Sequence, residues 1–221
     1  MFTSAPALTH LVVDGLYSCT IVWAALCHCT GLAHLDIALY EPLDDPTSVP
    51  IFPLRLPVLR KLVLRYFGES LMSAWSEHLT MPRLESLDLQ DASVELVPAV
   101  IRGMPSTLID LSYSIMGTLI GPVDAGYLSV LGNLRSVCIK DASPAFLQYL
   151  REHDVWPKLE SLHLRYGSFC DEEEEALLDL VRSRSERAET ATLKRVVFDG
   201  ADQQLWLTNL IDLYTLPVRE S

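Results

Sequence analysis

Residues 81–89, MPRLESLDL, and residues 156–164, WPKLESLHL, share one pattern of apolar residues. In each stretch a Leu is followed by an apolar residue three positions on and by another two positions later, and a Pro stands two positions before the Leu. The last two apolar residues share one face of an extended strand, whereas the residues between and beside them share the other. Each stretch therefore predicts a short strand with one buried face.

The pattern returns along the whole chain. Its first leucines advance by 24, 27, 25, 24, 26, 25 and 34 residues, and segments of helical character lie between them at 19–27, 69–78, 124–131, 143–153, 171–188 and 203–214. Strands that alternate with helices are usually parallel. We therefore expect a mixed α/β fold with about eight repeats in a single domain, residues 1–221. The copies are Leu8-Leu11-Val13, Leu32-Leu35-Ile37, Leu59-Leu62-Leu64, Leu84-Leu87-Leu89, Leu108-Leu111-Tyr113, Leu134-Val137-Ile139, Leu159-Leu162-Leu164 and Leu193-Val196-Phe198.

Local signals place some of the segments between the strands. Ser143 is a favourable N-cap with Pro144 at the first helical position, and the acidic run 171–175 suits the N-terminal end of a helix dipole. We expect that run to begin an amphipathic helix that buries Leu177, Leu178 and Val181. Five prolines between residues 42 and 57 forbid a helix there and predict an extended crossing.

Composition limits the function classes. The formal net charge of -12 opposes binding to nucleic-acid phosphates, and the apolar stretches are too short to span a bilayer. The odd count of 5 cysteines, without regular spacing, favours reduced thiols, most of them small core residues. Residues 1–6 carry no secretion signal. We expect an intracellular protein, cytoplasmic or nuclear, that contacts neither nucleic acid nor membrane.

The repeated stretches at residues 81–89 and 156–164 resemble leucine-rich-repeat proteins, in particular the repeat region of fungal F-box/leucine-rich-repeat proteins. The resemblance implies a solenoid with a curved parallel sheet on its concave side and helices and irregular segments on its convex side. It also implies a protein partner on the concave face, as a substrate presented to a cullin-type ubiquitin ligase. The first triplet begins at Leu8, so we expect an uncapped N-terminus without an F-box. A ligase adaptor would bind only through an F-box outside this chain.

The resemblance places the partner on the strand residues that alternate with the buried ones. Equivalent positions on neighbouring strands lie about 5 Å apart, so Lys140 and Arg165 should be neighbours, with His163 beside them and Arg195 one strand further. Such a group suits an acidic or phosphorylated segment, although a solvated face of mixed charge remains the alternative. The candidate partner-binding residues are Lys61, Arg65, Asp88, Asp110, Lys140, His163, Arg165 and Arg195.

Catalytic and cofactor motifs are absent from the sequence. It contains no Gly-rich phosphate loop, Gly-x-Ser-x-Gly elbow, His-Glu-x-x-His or Cys-x-x-Cys, so we expect no enzyme activity, no cofactor and no metal. The alternative is a divalent-metal site formed by His10 and His34 with Asp14 and Asp36. We predict helix-end packing for residues 27–29, Cys-His-Cys, and core positions for most of Trp23, Trp75, Trp156 and Trp206. Two other functions stay open, a fragment of a longer repeat protein and an enzyme with an unrecognised site.

Overall fold

A computed structural model describes residues 7–15, 19–39, 53–66, 78–92, 101, 104–115, 117, 119–165, 171–187 and 190–199. The described chain is a mixed α/β structure. Its main sheet has eight strands, all neighbouring pairs are parallel, and their spatial order follows the chain order. The strands of this sheet are β1 (His10–Gly15), β2 (His34–Leu39), β4 (Lys61–Arg65), β6 (Ser86–Ala92), β7 (Asp110–Ile115), β8 (Ser136–Lys140), β9 (Ser161–Arg165) and β10 (Arg195–Asp199).

The predicted triplets form this sheet and fix its register. Leu35 is registered with Leu62, Leu62 with Leu87 and Leu87 with Leu111, so apolar residues of the same position lie side by side. One irregularity interrupts the register, between Leu89 and Ala92 on the β6–β7 pair. The prediction of eight parallel strands is confirmed. A second sheet of two strands, β3 (Leu54–Arg55) and β5 (Leu79–Thr80), was not predicted.

A repeated turn leads into the strands. The amide of Leu59 donates to the carbonyl of Leu56 at 3.3 Å, and the corresponding bond joins Leu84 to Met81 and Leu159 to Trp156. Pro57, Pro82 and Pro157 occupy the second position of this turn, where their fixed φ is favourable. The sequence pattern is therefore a turn followed by a strand.

The residue before each strand supplies a second repeated contact. The carbonyl of Arg60 accepts hydrogen bonds from the amides of both Glu85 and Ser86, each at 2.9 Å. Equivalent pairs of bonds join every two neighbouring strands of the main sheet, with acceptors on Thr9, Ala33, Arg60, Glu85, Ile109, Arg135 and Glu160. Each repeat is thereby tied to the next at the entrance of the strand, which fixes the register before the strand begins.

Within the described residues, four helices lie between the strands: α1 (Cys19–Leu26), α2 (Pro122–Leu128), α3 (Pro144–Glu152) and α4 (Asp171–Glu186). The Ser143 hydroxyl accepts from the amide of Phe146 at 3.1 Å, which confirms the predicted N-cap of α3. At α2, the Asp124 carboxylate accepts from the amide of Gly121 at 2.9 Å. This cap starts the helix at Pro122, two residues before the prediction, and α2 ends at Leu128 rather than at residue 131.

Helices and strands share one hydrophobic core. The first leucine of seven of the triplets is buried, from Leu32 to Leu193, whereas Leu8 at the edge of the sheet is partly exposed. Trp23 of α1 is buried, and so is Trp156, whose indole nitrogen donates to the carbonyl of Leu128 at 2.9 Å. The core prediction is confirmed for these two tryptophans. Helix α4 buries Leu177 and Val181 as expected, but it buries Leu180 in place of Leu178.

Arg184 joins α4 to the segment after α3. Its side chain is buried, and its guanidinium donates to the carbonyls of Val155 at 2.5 Å and of Trp156 at 3.3 Å. The next turn adds Arg187, which donates to the carbonyl of Arg151 at 2.6 Å and to the carboxylate of Asp154 at 2.8 Å. Carbonyl groups at a helix end attract cations. The end of α4 therefore caps the end of α3.

Several predictions lie outside the described residues: nearly all of the helix at 69–78, the helix at 203–214, residues 42–52 of the proline-rich crossing, Trp75, Trp206 and Cys170. Of the cysteines with described side chains, Cys29 is buried and Cys27 and Cys138 are partly buried. Among the described helices, none is both long enough and apolar enough to cross a membrane.

Candidate functional site

One face of the main sheet carries polar side chains in aligned rows. We call it the polar face; it comprises the strand residues that alternate with the buried apolar ones. It holds five Lys or Arg and five Asp, whose charges cancel, although the chain carries a formal net charge of -12. Its residues are 10, 12 and 14 on β1; 34, 36 and 38 on β2; 61, 63 and 65 on β4; 86, 88 and 90 on β6; 110, 112 and 114 on β7; 136, 138 and 140 on β8; 161, 163 and 165 on β9; and 195, 197 and 199 on β10.

Not every residue of this face is accessible. Ala38 is 1% exposed, Val63 is 5% exposed and Ser114 is 8% exposed. The Ser114 hydroxyl accepts from the amide of Asp91 at 2.9 Å, beside the irregularity in the register of β6 and β7. These three residues cannot contact a partner unless the face rearranges. The alternation of residues in the sequence therefore predicts a larger accessible face than the structure has.

The rings of His10 and His34 lie side by side at the β1 edge, with centroids 5.5 Å apart and planes tilted by 53°. Burial lowers the pKa of His34, and the charge of Lys61 on the neighbouring strand lowers it further. On the same strands, the guanidinium of Arg65 forms a partly buried ion pair with Asp36. Arg65, a predicted site residue, is therefore already held by a carboxylate.

Asp88 and Asp110 form the acidic part of the face, on β6 and β7. The amide nitrogen of Gln90 donates to Asp88 Oδ2 at 2.8 Å, while Asp88 Oδ1 is enclosed and has no hydrogen-bond partner among the described residues. Partial burial raises the pKa of Asp110; a hydrogen bond from Ser136 opposes this shift, and the nearby Glu85 adds to it. A cation placed over these two carboxylates would be favoured, because it would compensate charge that the protein compensates incompletely.

The predicted basic group lies on β8, β9 and β10. Lys140 is registered with Arg165, and Arg165 with Asp199. Asp199 Oδ2 lies 2.8 Å from His163 Nε2 and 3.9 Å from Arg165 Nε. Lys140 and Arg195 are exposed and make no ion pair within the described part of the chain. The prediction that Lys140, His163 and Arg165 are neighbours is confirmed, with Arg195 on the next strand.

Asp199 is the residue that the predicted site omitted. Its carboxylate reduces the positive charge of the basic group, since three cations against one carboxylate leave a formal charge of +2. The same carboxylate fixes His163 and orients Arg165. The strand register could have identified Asp199: this residue directly follows Phe198 of the last triplet and therefore falls in the row of Lys140 and Arg165.

Cys138 lies between Ser112 and His163 in one row of the polar face. Burial raises the pKa of its thiol, and the positive charge of Arg165 only partly opposes that shift. A nucleophilic cysteine needs a lowered pKa. This arrangement therefore favours an unreactive thiol, in spite of the histidine beside it.

The remaining predicted features have structural surroundings. Cys29 is buried and its thiol donates to the carbonyl of Ala25 at 3.3 Å, and burial raises the pKa of Cys27, as helix-end packing predicts. The acidic run begins α4, and Asp179 of that helix pairs with Arg151 of α3 at 2.8 Å. Within the described ranges, no group of three or more His, Cys, Asp or Glu is arranged to hold a metal ion.

No family model matches the chain, and no curated protein matches it. The geometry of the polar face is therefore what bears on function.

Proposed function

We propose that the chain is a leucine-rich-repeat solenoid that binds a protein segment on its polar face. The observation that carries the proposal is the row of Lys140 and Arg165 with Arg195 nearby, in which Lys140 and Arg195 are exposed and lack an ion-pair partner among the described residues. Two features favour the solenoid: strand order follows chain order, and the same pair of hydrogen bonds recurs between all neighbouring strands of the main sheet.

The basic end of this face, on β8, β9 and β10, fits a protein segment that presents acidic side chains. Cations on neighbouring strands of a sheet are held near one another before binding, so less side-chain entropy is lost when a carboxylate arrives. Sheet side chains stand upright from a rigid backbone, which suits recognition of an extended segment. By resemblance, the narrower proposal is recognition of a substrate for a cullin-type ubiquitin ligase.

Selection from a displayed library of random peptides tests the binding function. The library is enriched on the wild-type protein, and the enriched peptides are then measured on the Lys140→Glu/Arg165→Glu variant. We expect every enriched peptide to carry Asp or Glu and to bind the variant at least about tenfold more weakly, because at each of the two substituted positions an attraction to the peptide carboxylate is replaced by a repulsion.

A matched control uses Arg55→Glu/Arg83→Glu. Both arginines are exposed outside the main sheet, and the pair changes the net charge by the same amount. Binding that falls equally in both double variants would reflect net charge alone. Failure to enrich any peptide, or unchanged affinity for the Lys140→Glu/Arg165→Glu variant, would contradict the proposed function.

The ubiquitin-ligase form has its own test. Sequencing the 5′ end of the native transcript asks whether the reading frame upstream of Met1 encodes an F-box-like helical segment. Such a segment would support the ligase form. A frame that stops without one would contradict it and leave binding on the polar face as the proposal.

A further inference from the structure

The polar face is bipolar along its β6–β10 half. Asp88 and Asp110 lie on β6 and β7, while Lys140, Arg165 and Arg195 lie on the last three strands. No Lys or Arg of the polar face lies on β6 or β7, and the one carboxylate on the last three strands, Asp199, already contacts His163 and Arg165. The two charges of the face are therefore segregated here rather than mixed.

One row of this face joins the two ends. Asp110 is registered with Ser136, Ser136 with Ser161, and Ser161 with Arg195. The row thus runs from a carboxylate over two short hydroxyl side chains to a guanidinium. The adjacent row adds Ser112 and Cys138, which are also short. Between the charged ends, the sheet backbone is consequently covered by small side chains that leave room for an extended chain.

The span of this row sets the spacing of a matching ligand. Neighbouring strands are about 4.8 Å apart, so three strand spacings separate Asp110 from Arg195 by roughly 14 Å. An extended chain rises about 3.3 Å per residue, so about four residues cover that distance.

We propose that the partner is an extended protein segment that is itself bipolar, with a basic side chain over Asp110 and Asp88 and an acidic side chain about four residues away over Lys140, Arg165 and Arg195. This inference rests on the proposed function and specifies its partner. Charge complementarity supports it: a wholly acidic segment lying along the row would place a carboxylate against Asp110, whereas a bipolar segment satisfies both ends.

Three synthetic peptides of equal length test the inference, measured by fluorescence anisotropy at low ionic strength. One has two Lys separated from two Glu by three Ser, one has the same residues with Lys and Glu alternating, and one has Glu in place of Lys. We expect the segregated peptide to bind about fivefold more tightly than the alternating one. In Asp110→Asn, that preference should fall to near unity while the affinity for the all-Glu peptide stays equal or rises.

The control variant is Glu186→Gln, which removes one negative charge from the exposed end of α4 and should keep the fivefold preference. Equal binding of the segregated and alternating peptides, or a preference that survives Asp110→Asn, would overturn the bipolar partner. If the all-Glu peptide still binds when either of these results is obtained, the proposed function stands without the bipolar partner. Absence of binding by all three peptides would overturn both.

Discussion

The imidazole Nε2 of His163 lies 2.8 Å from the carboxylate Oδ2 of Asp199 on the adjacent strand. Arg165 Nε lies 3.9 Å from the same oxygen, so one carboxylate serves two side chains of the basic group. Asp199 is 54% exposed and Arg165 is 58% exposed, so solvent screens both. The carboxylate therefore acts on this face in two opposed ways: it orients the basic side chains and lowers the attraction for an acidic ligand.

Asp199→Asn should strengthen binding of the all-Glu peptide. The substitution removes a like charge from beside the ligand while an amide oxygen can still accept from Arg165 or His163, and we expect about a threefold gain in affinity. Fluorescence anisotropy measures it. The matched control is Asp154→Asn, an exposed carboxylate beside α3 that pairs with Arg187. Weaker binding in Asp199→Asn would mean that orientation outweighs repulsion.

Arg184→Met should destabilise the protein by about 2–4 kcal/mol, because the carbonyls of Val155 and Trp156 would lose a buried charged donor. Urea unfolding followed by circular dichroism measures the free energy. Arg182→Met, two residues earlier on the same helix, removes an exposed arginine whose ion pair with Asp179 spans 3.2 Å, and should cost less than about 0.5 kcal/mol. Equal losses in the two variants would contradict a role for Arg184 in joining α4 to the preceding segment.

Ser143→Ala should lower the free energy of unfolding by about 1 kcal/mol, because the amide of Phe146 loses its capping acceptor. Ser185→Ala is the control, since that exposed hydroxyl donates to the carbonyl of Arg182 near the end of α4 and caps no helix start. Thermal and urea unfolding of both variants provide the comparison. A Ser143→Ala protein as stable as the control would show that Pro144 alone sets the start of α3.

Asp110→Asn should stabilise the protein at neutral pH. Burial raises the pKa of Asp110, so the native state binds a proton more readily than the unfolded chain, and wild-type stability from this group increases as the pH falls through that pKa. The variant lacks this dependence. We expect it to be more stable at pH 7 by less than about 1 kcal/mol, since the carboxylate is only partly buried.

The advantage of Asp110→Asn should shrink on acidification, once the wild-type carboxyl is protonated. Urea unfolding over a pH series measures the difference between the two proteins, and Glu186→Gln serves as the control because its carboxylate lies on exposed helix surface. An advantage that grows as the pH falls would contradict the sign of the shift.

The polar face shows how far sequence periodicity reaches. Alternation within a strand assigned Lys140, Arg165 and Arg195 to one face, and parallel register made Lys140 and Arg165 neighbours, as observed. It did not assign ion pairs. Arg65 was predicted as a binding residue, yet it is paired with Asp36 from the strand before, at a diagonal position that a row-by-row map does not consider. It also did not predict the burial of Ala38 and Val63, which depends on the size of the neighbouring side chains.

Local features of the amino-acid sequence specify the strands, their order and their register. The turn prolines and the spaced apolar residues are only a few residues apart, so they favour a turn and a strand before distant segments meet. Because this pattern repeats at a near-constant interval, it favours one parallel arrangement of the strands. Which charges of the polar face remain available to a partner depends on contacts between residues that are distant in sequence. Asp199 reaches His163 across 36 residues, and Arg184 reaches Trp156 across 28. Such contacts depend on the conformation of the long segment between the two residues, and no local sequence pattern specifies that conformation.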